Sequence, residues 1–218
     1  NVTDRTRNPF GMRPDCESFV PGYGDANADF HLVGDHPGVH GGVDAGVPFT
    51  GEPWSPTFFD ALAGGGLIDP LAEPSAESTA DGSDPFVTDR TFASYLHMCV
   101  TDEAPDEAAY ADMERFFDAE LRAIAAHVLL PVGARATAHV LRTYTAHPVD
   151  DEPEMESLHA TERVGSGFLV VPVAEPAEWG PTHHDRLVEG LSELQSTDFR
   201  READLGRFLP GDDSYLVR

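Results

Sequence analysis

The chain has 218 residues, 40% of them apolar, which suits one domain with a sizeable core and leaves no need for a second. Thirty-nine acidic residues against 14 basic ones give a formal net charge of -25, and all 14 basic residues are arginine; lysine is absent. The acids run along the whole length, which excludes a disordered acidic tail as their source and matches a protein built for molar salt.

Residues 1–27 are polar and rich in turn formers, with Asn8-Pro9-Phe10-Gly11 and Pro21-Gly22-Tyr23-Gly24, and read as an extended lead-in. Phe30 to Val33 is the first of four apolar runs of buried-strand length; the others are Phe92 to Met98, Val128 to Val132 and Phe168 to Val173. After the first run comes a loop rich in glycine and proline, then a short helix with Ser55 as N-cap, Pro56 at its first position and Gly64-Gly65-Gly66 as its stop. Met113, Phe116, Phe117, Leu121 and Ile124 recur at helical spacing behind an acidic first turn, Asp106 and Glu107. An Ala-rich helix over Val132 to Leu141 is entered through Gly133, and Leu187, Val188, Leu191 and Leu194 form a third apolar stripe.

Strands alternating with helices give the fold class: α/β, three layers α/β/α around a central, mainly parallel four-stranded sheet. The expected division is a lead-in at 1–27, one domain at 28–200 and a C-terminal tail at 201–218. Pro70 to Asp89 and Pro148 to Glu162 are acidic and read as solvated insertions.

The two cysteines, Cys16 and Cys99, stand 83 positions apart; they argue against a disulfide framework and make a four-cysteine cluster within one chain impossible. No apolar run reaches membrane-spanning length and the amino end lacks a signal-peptide core, so the expected location is cytoplasmic, without membrane contact. The histidines make no metal motif. His36 and His40 are separated by Pro37-Gly38, which reads as loop, and His183-His184 reads as an exposed pair at a helix start.

The segment Val33-Gly34-Asp35-His36-Pro37-Gly38, followed by Gly46-Val47-Pro48-Phe49-Thr50-Gly51, is the first candidate for a site. It leaves the carboxyl end of a strand, where open α/β sheets place their ligands, and holds an aromatic ring between Pro48 and small residues. The two motifs resemble the Gly-Glu-x-Pro-Gly and Gly-x-Pro-Phe-x-Gly sequences of the uracil-DNA glycosylase superfamily, in particular its archaeal and thermophile branch with an iron–sulfur cluster. Tyr95-Leu96-His97-Met98-Cys99, Pro131-Val132-Gly133-Ala134-Arg135-Ala136 and Val171-Pro172-Val173-Ala174-Glu175-Pro176 follow in the family's order, so the similarity runs from about Tyr23 to Leu194.

The resemblance implies a protein that flips a base out of DNA and stacks it on an aromatic, here Phe49, with Gly34 and Pro37 also among the substrate-binding residues. Asp35 or His36 is the candidate to hold the attacking water. Glu175 stands where the family has a histidine that stabilises the leaving base, and a carboxylate repels an anion unless it is protonated. Tyr95 stands where an asparagine reads the uracil edge, and His97, two positions on, shares its strand face. Cys99 fits one cluster ligand, Cys16 loosely another, and Met113 replaces a third, so no cluster, no other cofactor and no metal is expected. DNA is the expected partner. Molar salt shrinks the Debye length to about 3 Å, so the net charge decides nothing against it. The expected function is a divergent glycosylase-like protein that recognises, and excises if it is an enzyme, an altered base, with uracil a doubtful substrate; the alternative is a non-catalytic nucleic-acid- or protein-binding module on the same fold.

Overall fold

The computed structural model describes residues 7–69, 90–145 and 153–206. Its elements are β1 (Tyr23–Gly24), β2 (Phe30–Gly34), α1 (Pro37–His40), α2 (Ser55–Gly64), β3 (Thr91–Tyr95), α3 (Glu107–Ile124), β4 (Val128–Pro131), α4 (Gly133–Tyr144), α5 (Met155–Leu158), β5 (Arg163–Val164), β6 (Leu169–Val170), α6 (His183–Ser196) and α7 (Phe199–Gly206). The sheet order is β1-β3-β2-β4-β6-β5. The four apolar runs form the expected parallel centre, β3-β2-β4-β6. Two short antiparallel edge strands, β1 and β5, extend the sheet to six.

Strand alternation divides the core. Phe30, Leu32, Ala93 and Tyr95 face the layer that contains α2, α6 and α7, while Val33, Leu129 and Val170 face α3 and α4. The lead-in does more than approach the sheet: it supplies β1, and a ladder of Val20 N–H to Met98 and Val100 N–H to Ser18 lays it along the chain after β3. Helix α7 runs across the boundary expected at residue 200, with the Phe199 ring tilted against Phe30 at 5.4 Å and Arg200 bonded to Asp29. The run at Phe168 to Val173 is shorter as a strand than its composition suggests. Val171 and Val173 still donate to the Leu129 and Pro131 carbonyls, but Pro131 of β4 has no N–H to return to Val171, so regular pairing covers Leu169–Val170 and continues as a bridge between Val132 and Val173.

Four local expectations change. Pro37-Gly38, expected as loop, opens helix α1. Cys16 and Cys99 are joined in a disulfide, although their spacing carries no sign of it. Ser55 is the first helical residue and not the cap; its hydroxyl donates to the Phe49 carbonyl and accepts from Glu52 N–H, tying the preceding loop down. His183 is buried against Trp179 and His159, and His184 is only partly exposed, held by Asp60 and Asp185, so the expected exposed pair is not seen. The insertion at 70–89 and residues 148–152 of the second lie outside the described residues. The remainder of the second insertion carries α5.

Candidate functional site at the strand ends

Strand β2 delivers Gly34 and Asp35 to the carboxyl edge of the sheet, and α1 begins two residues later. Pro37 sits in its first turn, where a missing N–H costs nothing, and His36 is the cap, its Nδ1 accepting from Gly38 N–H at 3.1 Å. His36 is 7% exposed, and burial holds its pKa below the ordinary imidazole value. Its Nδ1 is thus occupied by the cap.

Asp35 faces the α3–α4 side. Tyr110 of α3 donates a short hydrogen bond to its carboxylate, and the Arg135 guanidinium of α4 stands 3.9 Å away while also holding Glu107 at 2.8 Å. Arg135 lies over the Tyr110 ring at 4.6 Å. A phenol and a guanidinium thus fix the carboxylate in one orientation. Tyr110 and Arg135 also line a cleft of about 750 Å³ between α3 and α4, together with Glu107, Glu114, His139 and Arg142.

Neither Phe49, Tyr95 nor Glu175 lines that cleft; they meet on the other face of the sheet, around His40. The His40 ring packs on Phe49 at 5.3 Å and on Tyr95 at 6.2 Å, and its Nε2 lies 3.1 Å from Glu175 Oε2. Asp35 N–H donates to His40 Nδ1 at 2.9 Å. With Nδ1 an acceptor, the ring proton is on Nε2 and is donated to Glu175. The second carboxylate oxygen, Oε1, is buried without a hydrogen-bond partner among the described residues.

The loop carrying Glu175 is pinned from behind. Ala174 N–H donates to His159 Nδ1, and Trp179 Nε1 donates to the Ala174 carbonyl. In front, Gly133 opens α4 with φ +81, and a Cβ there would stand 2.8 Å from Glu175 Oε2. Glycine lets the carboxylate approach the positive helix end. Gly133→Ala is expected to cost about 1–2 kcal/mol from its left-handed backbone and to push Glu175 off His40; an unchanged thermal midpoint would refute that packing.

Phe49 is fully buried, in contact with Tyr95 and Phe58 as well as His40, and its own backbone has φ +65. Gly34 makes room for this packing: a Cβ there would fall 2.6 Å from the Tyr95 ring and 2.8 Å from Phe49. The structure therefore brings Gly34, Phe49, Tyr95 and Glu175 together and sets Asp35 beside them across β2. His97 goes elsewhere. Because β3 ends at Tyr95, alternation stops, and His97 turns to the α3 side, where its ring meets Tyr110 edge-on at 5.7 Å. Sequence reading missed three residues: His40 as the hub, and Tyr110 and Arg135 as the holders of Asp35. Their spacing carries no signal, since each comes from a different element and meets its partner only in the fold.

A mainly parallel sheet between two helical layers makes this an α/β protein, and Asp35, His40 and Glu175 stand at its carboxyl strand ends. The family model of the uracil DNA glycosylase superfamily matches residues 21–187, and the chain belongs to that superfamily. No curated protein matches the sequence. The iron–sulfur cluster of the branch it resembles does not fit here. Cys16 and Cys99 are bonded to each other, and Met113 packs against them in a corner that also holds Met12 and Met98. Such a cluster is ordinarily held by four thiolates.

Proposed function

We propose that the protein acts on DNA as a divergent glycosylase-like protein that receives an altered base at the strand ends and does not release uracil. The observation that carries this reading is the His40–Glu175 pair. With His40 donating to it, Glu175 is held as an acceptor, and a departing uracil anion needs a donor at that position. A base that offers an N–H or amino group to the free oxygen of Glu175 suits the site better. Asp35, held by Tyr110 and Arg135, is the residue to orient a water if hydrolysis occurs.

The test uses single-stranded and duplex oligonucleotides containing uracil, hypoxanthine or xanthine, in molar potassium chloride to suit the acidic, lysine-free surface. The expected result is binding without uracil release, and loss of any other base release in Asp35→Asn. Rapid uracil release would sink the proposal. The full burial of Phe49 and Tyr95 favours a second reading, a binding module on the glycosylase fold, and binding of all three oligonucleotides without any product is its signature.

A further inference from the structure

Helices α3 and α4 cover the sheet on the face opposite Phe49 and Glu175, and the cleft of about 750 Å³ lies between them. Its size suits a small organic molecule. Each helix supplies one kind of charge: Glu107 and Glu114 come from α3, while Arg135, His139 and Arg142 come from α4. The acids and the arginines both recur after two helical turns, about 10 Å along the axis, which sets an acid near a base at each end of the cleft. At one end Arg135 holds Glu107 at 2.8 Å. At the other, Glu114 and Arg142 both act on the His139 ring. Burial holds that ring below the ordinary imidazole value; Glu114 works against this and Arg142 adds to it.

Between the charged ends, Ala111, Ala134 and Ala138 leave the gap open, and Leu96 and Phe117 give it an apolar floor. Arg135 lies over the Tyr110 ring at 4.6 Å, and a guanidinium plane is a surface on which a flat ring stacks. A carboxylate only accepts hydrogen bonds and a guanidinium only donates them. Glu114 on one wall and Arg142 on the other therefore complement a flat, neutral ring that carries an N–H beside a C=O, the N–H going to Glu114 and the carbonyl to Arg142. The distance between the two ends leaves room for a fused ring with its sugar.

We propose that the α3–α4 cleft is a second ligand site and that it takes a purine nucleoside with such a lactam edge. The proposal goes beyond the reading built on Glu175, because neither Glu175, His40 nor Phe49 lines the cleft. The two regions meet only through Asp35, since Tyr110 and Arg135 line the cleft and also hold that carboxylate.

The probe is inosine, titrated into the full chain in molar potassium chloride and followed by amide NMR. Saturable shifts are expected along α3 and α4, around Ala111 and Ala138, with the amides of Gly41 to Phe49 unmoved. 1-Methylinosine, which lacks the ring N–H, is expected to bind about tenfold or more weakly. Ala111 and Glu114 are exposed, so substitutions there leave the core untouched. Ala111→Trp fills the cleft and is expected to abolish binding; Glu114→Ala is expected to weaken inosine about tenfold and to erase its advantage over 1-methylinosine. The proposal is overturned if wild type shows no saturable shifts, if the shifts fall on Gly41 to Phe49, if Ala111→Trp binds like wild type, or if wild type binds both nucleosides equally. An oligonucleotide carrying one inosine then identifies the source: displacement of the free nucleoside supports a site for a strand-borne base, and no displacement supports a site for the free nucleoside. Oligonucleotides that fail to bind at all count against the proposed function and leave the cleft's ligand standing.

Discussion

Reducing the disulfide, or replacing Cys16 and Cys99 by serine, is expected to lower the stability of the protein by about 4 kcal/mol. The bond closes a loop of 83 residues in sequence, and cross-linking so long a loop removes a correspondingly large part of the disorder of the unfolded chain. The part of the lead-in around Cys16 lies outside β1 and has little else to hold it. Its short backbone ladder to the residues after β3 and the small cluster of Met12, Phe19, Met98, Met113 and Phe116 cover the bond, and neither is large. In a chain of this size the loss corresponds to a thermal midpoint lower by about 10 °C. Thermal unfolding with and without reductant measures it, with thiol counting to confirm the redox state. Equal midpoints for oxidised and fully reduced protein would show that the bond does not brace the fold.

The second large effect is on pH dependence and comes from the polar groups buried under the α3–α4 face. His31 of β2 lies 2.8 Å from the Ser94 hydroxyl of β3, and Glu120 of α3 is enclosed against Ser94 and the Gly22 backbone. Burial pushes Glu120 up from 4.5 to about 8 and holds His31 down from 6.5 to about 3. For Glu120 the folded protein keeps a proton the unfolded chain releases. Its contribution is complete below pH 4.5 and is lost as pH rises to about 8. For His31 the unfolded chain takes the proton first, so its contribution is complete above pH 6.5 and is lost as pH falls toward 3. The two slopes oppose each other between 4.5 and 6.5, giving a plateau there with a fall on either side. Glu120→Gln removes the alkaline fall, a difference of about 4–5 kcal/mol between pH 4.5 and pH 8.5. Denaturant unfolding across that range tests it. Parallel pH profiles for wild type and Glu120→Gln would exclude a buried neutral acid.

The parts of this molecule that follow from short-range pattern were legible in the sequence. The stripe from Met113 to Ile124 behind Asp106 is α3, with Asp106 capping through Ala109 N–H, and the four apolar runs mark the four parallel strands. Helix caps and apolar periods are local, and the chain can be read for them one turn at a time. The site behaved differently. Phe49 was visible as a ring held by glycine and proline, yet its burial depends on Gly34, Tyr95 and His40 arriving from three other elements. His40 in particular looked like half of a weak metal pair. Its partners, Asp35 N–H and Glu175, lie five and 135 positions away, and nothing in their spacing announces the pairing. The disulfide was hidden for the same reason, since two cysteines carry no information about distance in space.

Asp29, at the amino end of β2, is enclosed by Arg90, His127 and Arg200, and the last of these comes from α7, 171 positions on. The strand that presents Gly34 and Asp35 is therefore fastened at its other end by residues among the last of the described chain to leave the ribosome. During synthesis this fastening forms only after residue 200 has emerged, so the amino end of β2 is closed by a long-range contact and not by its neighbours in sequence.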